Sequence, residues 1–148
     1  MRANFVYGSR AARGLNRLSG YEWVFIKDLS ERQTAAVLAD SLIFLFLSTI
    51  EGFGRMPIEA MLSGSVVCAY GIEPLTEYLA PDNALLAPAG DVLAVVDAIE
   101  RIVERFETAP QSLAPLTGAA ARSASRFTPL REQESVVRAW NAISSGAG

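Results

Sequence analysis

The chain has 148 residues, of which 51% are hydrophobic and 20% charged, a balance that suits one compact domain with a substantial core and excludes a disordered chain. A formal net charge of −3 and a pI near 5.0 provide no field to gather a polyanion, which argues against nucleic acid as the main partner. With no histidine and one cysteine, Cys68, a histidine-activated nucleophile, a Cys/His metal cluster and an intramolecular disulfide are excluded.

In chain order, short β-type runs alternate with helical patterns, the signature of a parallel sheet covered by helices. The first strand is expected at 4–7 (NFVY), followed by GSRAARG with Arg10 and Arg13. A second strand is expected at 23–27, and Ser30 with Gln33 forms a capping-box pattern for a helix to about Ala39. Residues 42–47 (LIFLFL) are apolar on both faces and belong at the sheet centre. Pro57 suits the first turn of a short helix ending at Gly64. A fourth strand at 66–69 places Cys68 in the core as a small hydrophobe.

After a fifth strand at 84–87, Asp91 can cap the longest helix, in which Val92, Val95, Val96, Ile99, Ile102, Val103 and Phe106 recur at helical spacing as a core stripe. The pattern breaks at 110–115, and two weaker helical segments follow at 116–125 and 130–143. Trp140, on the second, reads first as a packing anchor, with a contact to something outside the chain as the alternative. The tail 144–148 (SSGAG) reads as frayed. No apolar run approaches the roughly 20 residues that cross a bilayer. A cytoplasmic location is expected, without a transmembrane segment, and peripheral membrane association is compatible with it. The expected fold is α/β, a Rossmann-like parallel sheet with helices on both faces, with 1–109 as its body and 110–148 as a helical extension of the same domain.

The informative segment is 48–64, STIEGFGRMPIEAMLSG, which follows the central strand and leads into a helix. In open parallel sheets, ligands bind outside the carboxyl ends of the strands. Gly52 and Gly54 let a ligand approach the main chain closely. Neither Arg55 nor Met56 can cap the helix start, so its amides are left to water or to an anion such as phosphate. Glu51 and Glu59 bracket the glycines, and carboxylates can grip the vicinal hydroxyls of ribose or hexose. The plainer readings are a solvated loop charge for Glu51 and dipole stabilisation for Glu59.

EGFGRMPIEAMLSG resembles the signature of the retaining GT-B glycosyltransferases, glycosyltransferase family 4 or group 1, in which two glutamates separated by seven residues flank a Gly-aromatic-Gly turn. SVVCAY as the next strand, Glu77-Tyr78 where the family has a glutamate, and PAGD at 88–91 before the long helix agree with that order, so the resemblance covers roughly residues 23–106. It implies the C-terminal, nucleotide-sugar-binding half of a GT-B fold. Glu59 would then bind the ribose hydroxyls, Glu51 with the amides of Gly52, Phe53 and Gly54 would hold the donor hexose, and Arg55 and Met56 would offer amides to the diphosphate. Glu77 would lie near the phosphate end, and residues 25–29 would occupy the place of the nucleobase-contacting loop.

The family carries an Arg and a Lys after the first strand of this domain to neutralise the diphosphate. Here Arg13-Gly14 matches the family's Lys-Gly, while Gly8 stands at the Arg position and Arg10 is displaced. The resemblance gives the catalytic roles to Glu51, which positions the sugar, and to Arg13, which with Arg10 stabilises the leaving group. It implies hexosyl transfer from a UDP- or GDP-linked sugar to a hydroxyl acceptor with no further cofactor and no metal. It also implies an N-terminal acceptor domain, which makes the chain a fragment, a truncated product or one subunit of a split enzyme. Two other classes compete: a non-catalytic nucleotide- or nucleotide-sugar-binding module, and a flavodoxin-like signalling domain, whose acidic cluster at the first strand end is absent from Gly8-Ser9-Arg10.

Overall fold

A run that is apolar on both sides needs cover above and below, and SLIFLF becomes the middle strand of a parallel sheet. The computed structural model describes residues 4–7 and 20–146. Among them are the strands β1 (Asn4–Tyr7), β2 (Glu22–Phe25), β3 (Ser41–Phe46), β4 (Val66–Tyr70) and β5 (Leu85–Ala87), in the order β2-β1-β3-β4-β5. Every pairing is parallel. The strand order reverses between β1 and β3, the kind of switch point at which the outgoing loops part and leave a crevice at the carboxyl ends.

The described part also holds five α-helices, α1 (Glu31–Ala39), α2 (Arg55–Leu62), α3 (Val92–Thr108), α4 (Ala114–Ala124) and α5 (Pro129–Ser145), and two short 3-10 turns at Leu75–Glu77 and Pro110–Leu113. On one face of the sheet, Ile43, Leu45, Val66 and Cys68 meet Val95, Ile99 and Ile102 of α3. On the other, Phe44, Val67 and Ala69 meet Leu38 of α1, Ile58 and Met61 of α2, and Ala120 and Ala124 of α4. Local chemistry fixes the helix starts. Ser30 and Gln33 close a reciprocal capping box, with the Ser30 amide donating to Gln33 Oε1 at 2.9 Å, and Asp91 Oδ1 accepts from the Ala94 amide at 2.9 Å.

Several boundaries differ from the sequence expectation. The second strand ends at Phe25 rather than at residue 27, and the chain turns away through Asp28 at φ 55°. Helix α2 starts at Arg55 rather than Pro57, because Gly54 precedes it in the left-handed region at φ 76°. Proline is tolerated there since its missing N–H falls among the first-turn amides that have no partner within the helix. Helix α5 runs through Ser145, so residues 144–145 are helical rather than frayed, while 147–148 lie outside the described residues.

Trp140 is 69% exposed, which overturns its reading as a packing anchor. Both sheet faces are already covered by α1 to α4, and α5 buries none of its residues. No helix among the described residues is long and apolar enough to cross a membrane.

Candidate functional site

The loop leaving β3 at the carboxyl end of the sheet is braced from within. Ser48 Oγ donates to Ile50 O at 2.6 Å, and the Gly52 amide donates to Glu51 Oε1 at 2.9 Å. Gly54 is buried, left-handed, and hemmed in on the side where a Cβ would stand. Such an atom would lie 2.5 Å from Leu75 Cδ2, 2.8 Å from Tyr78 Oη and 3.3 Å from Glu51 Cγ. Only glycine fits this combination of φ and space. Gly54 also offers no side-chain cap to α2, so among the described residues the first-turn amides, at the positive end of the helix dipole, receive no side-chain cap.

Behind the loop sits Tyr78, 2% exposed. Its hydroxyl donates toward Gly54 O at 2.5 Å and Phe53 O at 3.1 Å. Its ring lies 5.5 Å from that of Phe53 and 5.6 Å from that of Phe127, and those two rings are 5.4 Å apart, within the range of favourable aromatic packing. The Tyr78 carbonyl accepts from Asn83 Nδ2 at 2.9 Å and from Ser123 Oγ at 2.9 Å. Burial, and then the charges of Glu51 and Glu77, hold the phenol well above its usual pKa, so it stays a donor.

In front, a groove of about 600 Å³ runs between α2 and the start of α5. Phe53, Glu59, Glu77, Arg126, Phe127 and Arg131 are among its lining residues. Arg55 also borders it and lies 4.0 Å from Glu59, its side chain 84% exposed against 44% for the glutamate. So exposed a pair adds little stability. Arg126 packs 5.6 Å from the centre of the Phe127 ring. The groove thus combines guanidinium groups suited to phosphate, carboxylates suited to sugar hydroxyls, and aromatic faces suited to a ring.

Of the residues singled out in the sequence, Phe53, Arg55, Glu59 and Glu77 converge on this groove. Glu51, Gly52 and Gly54 form its adjoining loop, and Met56 turns into the core beneath α2. Because α2 begins two residues early, Glu59 falls in its second turn rather than its first, which weakens the helix-dipole explanation for it. Arg10 and Arg13 lie outside the described residues. Sequence reasoning missed Arg126, Phe127 and Arg131, since nothing in their spacing announces proximity to the glycine loop. The Arg126-Phe127 pair just past a helix end was the one local hint.

Residues 15–111 match the glycosyl transferases group 1. The lipopolysaccharide core biosynthesis mannosyltransferase LpsB of Rhizobium meliloti (strain 1021) is 26% identical over 147 residues, covering 86% of this chain and 41% of the relative. Among solved structures, a sucrose-phosphate synthase from Thermosynechococcus elongatus superposes with a TM-score of 0.76 at 17% identity, covering 99% of this chain and 46% of that one. TarM aligns with a TM-score of 0.61 at 18% identity, covering 94% of this chain and 28% of its own. The chain therefore spans less than half the length of these relatives. The fold is the Rossmann-like α/β arrangement of GT-B glycosyltransferase domains, and the chain belongs to the glycosyl transferases group 1.

Proposed function

We propose that this chain is the donor-binding half of a retaining glycosyltransferase that moves a hexosyl unit from a nucleotide diphosphate sugar to a hydroxyl acceptor. The observation that carries this reading is the uncapped start of α2 behind a left-handed glycine, at the carboxyl end of the central strand, with Glu59 lining the groove beside it. The mannosyltransferase relative supports a hexosyl donor and an acceptor within a growing glycan.

In this scheme Glu59 accepts hydrogen bonds from the ribose hydroxyls. Glu51 and the backbone of Gly52, Phe53 and Gly54 hold the hexose, the amides of Arg55 and Met56 face the diphosphate, and Glu77 borders that end. Arg13 and Arg10, with Arg126 and Arg131 from the far wall, neutralise the charge that builds on the leaving diphosphate. The bond from the anomeric carbon to the diphosphate oxygen breaks as the bond to the acceptor oxygen forms on the same face. The acceptor proton passes to the departing phosphate. A separate N-terminal domain supplies the acceptor and closes the cleft against water. The lone, unpaired Cys68 suits work in the reducing cytosol.

Calorimetric titration of the chain with UDP and with GDP tests the reading. Saturable binding of one of them is expected, weakened about tenfold or more by Glu59→Ala, because hydrogen bonds to a charged group contribute about 1.5–3 kcal/mol. Absence of saturable binding for both nucleotides would sink the donor-site assignment.

A further inference from the structure

The glycine turn is held from behind by a single buried hydroxyl. In a trans peptide the C=O of one residue and the N–H of the next point in opposite directions. Tyr78 Oη takes hold of two consecutive carbonyls, Phe53 O and Gly54 O. The peptide planes that follow them are thereby turned so that the Gly54 and Arg55 amides face away from the tyrosine. These are the amides of the glycine loop and of the uncapped start of α2.

The tyrosine's own backbone is fixed by two further side chains, one five residues on and the other 45 residues on. Asn83, from the turn before β5, and Ser123, from α4, both donate to its carbonyl. Gly54 adopts its left-handed conformation without strain, and Tyr78 and Leu75 close the space behind it. Packing against Phe53 and Phe127 requires only an aromatic ring, which phenylalanine would supply equally. The hydroxyl is what packing leaves unexplained.

We propose that Tyr78 is a positioning residue for the donor: its hydroxyl sets the Phe53–Gly54 and Gly54–Arg55 peptide planes so that their amides face the bound nucleotide sugar. This rests on the donor-binding reading above.

Tyr78→Phe in the full chain tests it. UDP-glucose and GDP-mannose are titrated calorimetrically, and uridine and guanosine are titrated by NMR to millimolar concentration. The affinity for the nucleotide sugar should fall about tenfold, the scale of one net hydrogen bond. Nucleoside binding should stay within about twofold, because a nucleoside has no group for these amides to meet. Amide exchange at Gly54 and Arg55 should accelerate while that of β3 and β4 is unchanged. A general loosening of the fold would weaken both ligand classes alike, and that result would overturn the proposal, as would an unchanged nucleotide-sugar affinity. Should Tyr78→Phe fail to fold, Ser123→Ala must give the same selective loss at about two- to threefold, and no selective loss would overturn the proposal. Failure of the wild-type chain to bind any nucleotide sugar would instead remove the donor reading, and this inference with it.

Discussion

Gly54 and Gly64 both adopt positive φ, at 76° and 88°, but their surroundings separate two costs that are usually entangled. A Cβ at Gly64 meets nothing within 4 Å, so Gly64→Ala should cost only the left-handed penalty of about 1 kcal/mol. At Gly54 the same penalty adds to a collision with Leu75 and Tyr78, and Gly54→Ala should cost about 2–4 kcal/mol. Urea unfolding of both variants checks the contrast, and equal losses would mean that the space behind the glycine turn can relax. The glycines themselves were legible in the sequence, because a tight turn after a buried strand needs them. The reason Gly54 is irreplaceable was not legible. It depends on Tyr78, 24 residues away, and sequence spacing carries no information about such a meeting.

At the scale of elements, capping chemistry was the most readable signal, since it acts over three residues. Asp91 accepts from the Ala94 amide as its position before the apolar stripe suggests, and Asp91→Ala should destabilise the domain by about 1 kcal/mol in chemical denaturation. The central strand was equally plain, because six apolar residues in a row fit only a position covered on both sides. A proline in the first turn points to a helix start at Pro57, whereas the left-handed Gly54 begins α2 two residues earlier, at Arg55. That shift moves Glu59 into the second turn, beside the groove rather than over the helix end. Helix α5 was legible as a helix, expected at 130–143 and found at Pro129–Ser145, but its lack of packing was not. Its apolar residues Val136, Val137, Trp140 and Ile143 repeat at helical spacing just as those of α3 do, yet they are exposed. Periodicity says that a face exists and not what lies opposite it.

For the whole molecule, two observations bear on stability. Helix α5 contributes no buried residue, so a chain ending at Thr128 should melt within about 3 °C of the full chain, a shift that for a domain of this size corresponds to about 1 kcal/mol or less. A much larger drop in thermal unfolding would assign α5 a share of the core. The second concerns pH. Burial pushes the Cys68 thiol up to about 12 from an ordinary 9.0, and burial with the nearby carboxylates of Glu51 and Glu77 raises Tyr78 in the same direction. A group whose pKa is raised by folding gives its full stabilisation below its ordinary value and loses it as pH rises toward the folded one. The urea midpoint should therefore hold steady to about pH 8.5 and fall progressively as the pH passes through about 9 to 12. Over the lower part of that range Cys68 should resist a thiol reagent until the chain unfolds, because only the thiolate reacts.

The two walls of the groove differ in standing: one is made of α2 and the turn carrying Glu77, anchored in the sheet's core, and the other includes the opening turns of a helix that buries nothing. A molecule that touched both walls would act as a rivet, and part of its binding free energy would be expressed as added order in α5. The helix carries its own reporter in Trp140, which stands clear of the groove lining. In a Trp23→Phe background, filling the groove should raise the fluorescence anisotropy of Trp140 even though the indole never meets the ligand. Occupancy would then be readable along the helix from the place where it occurs.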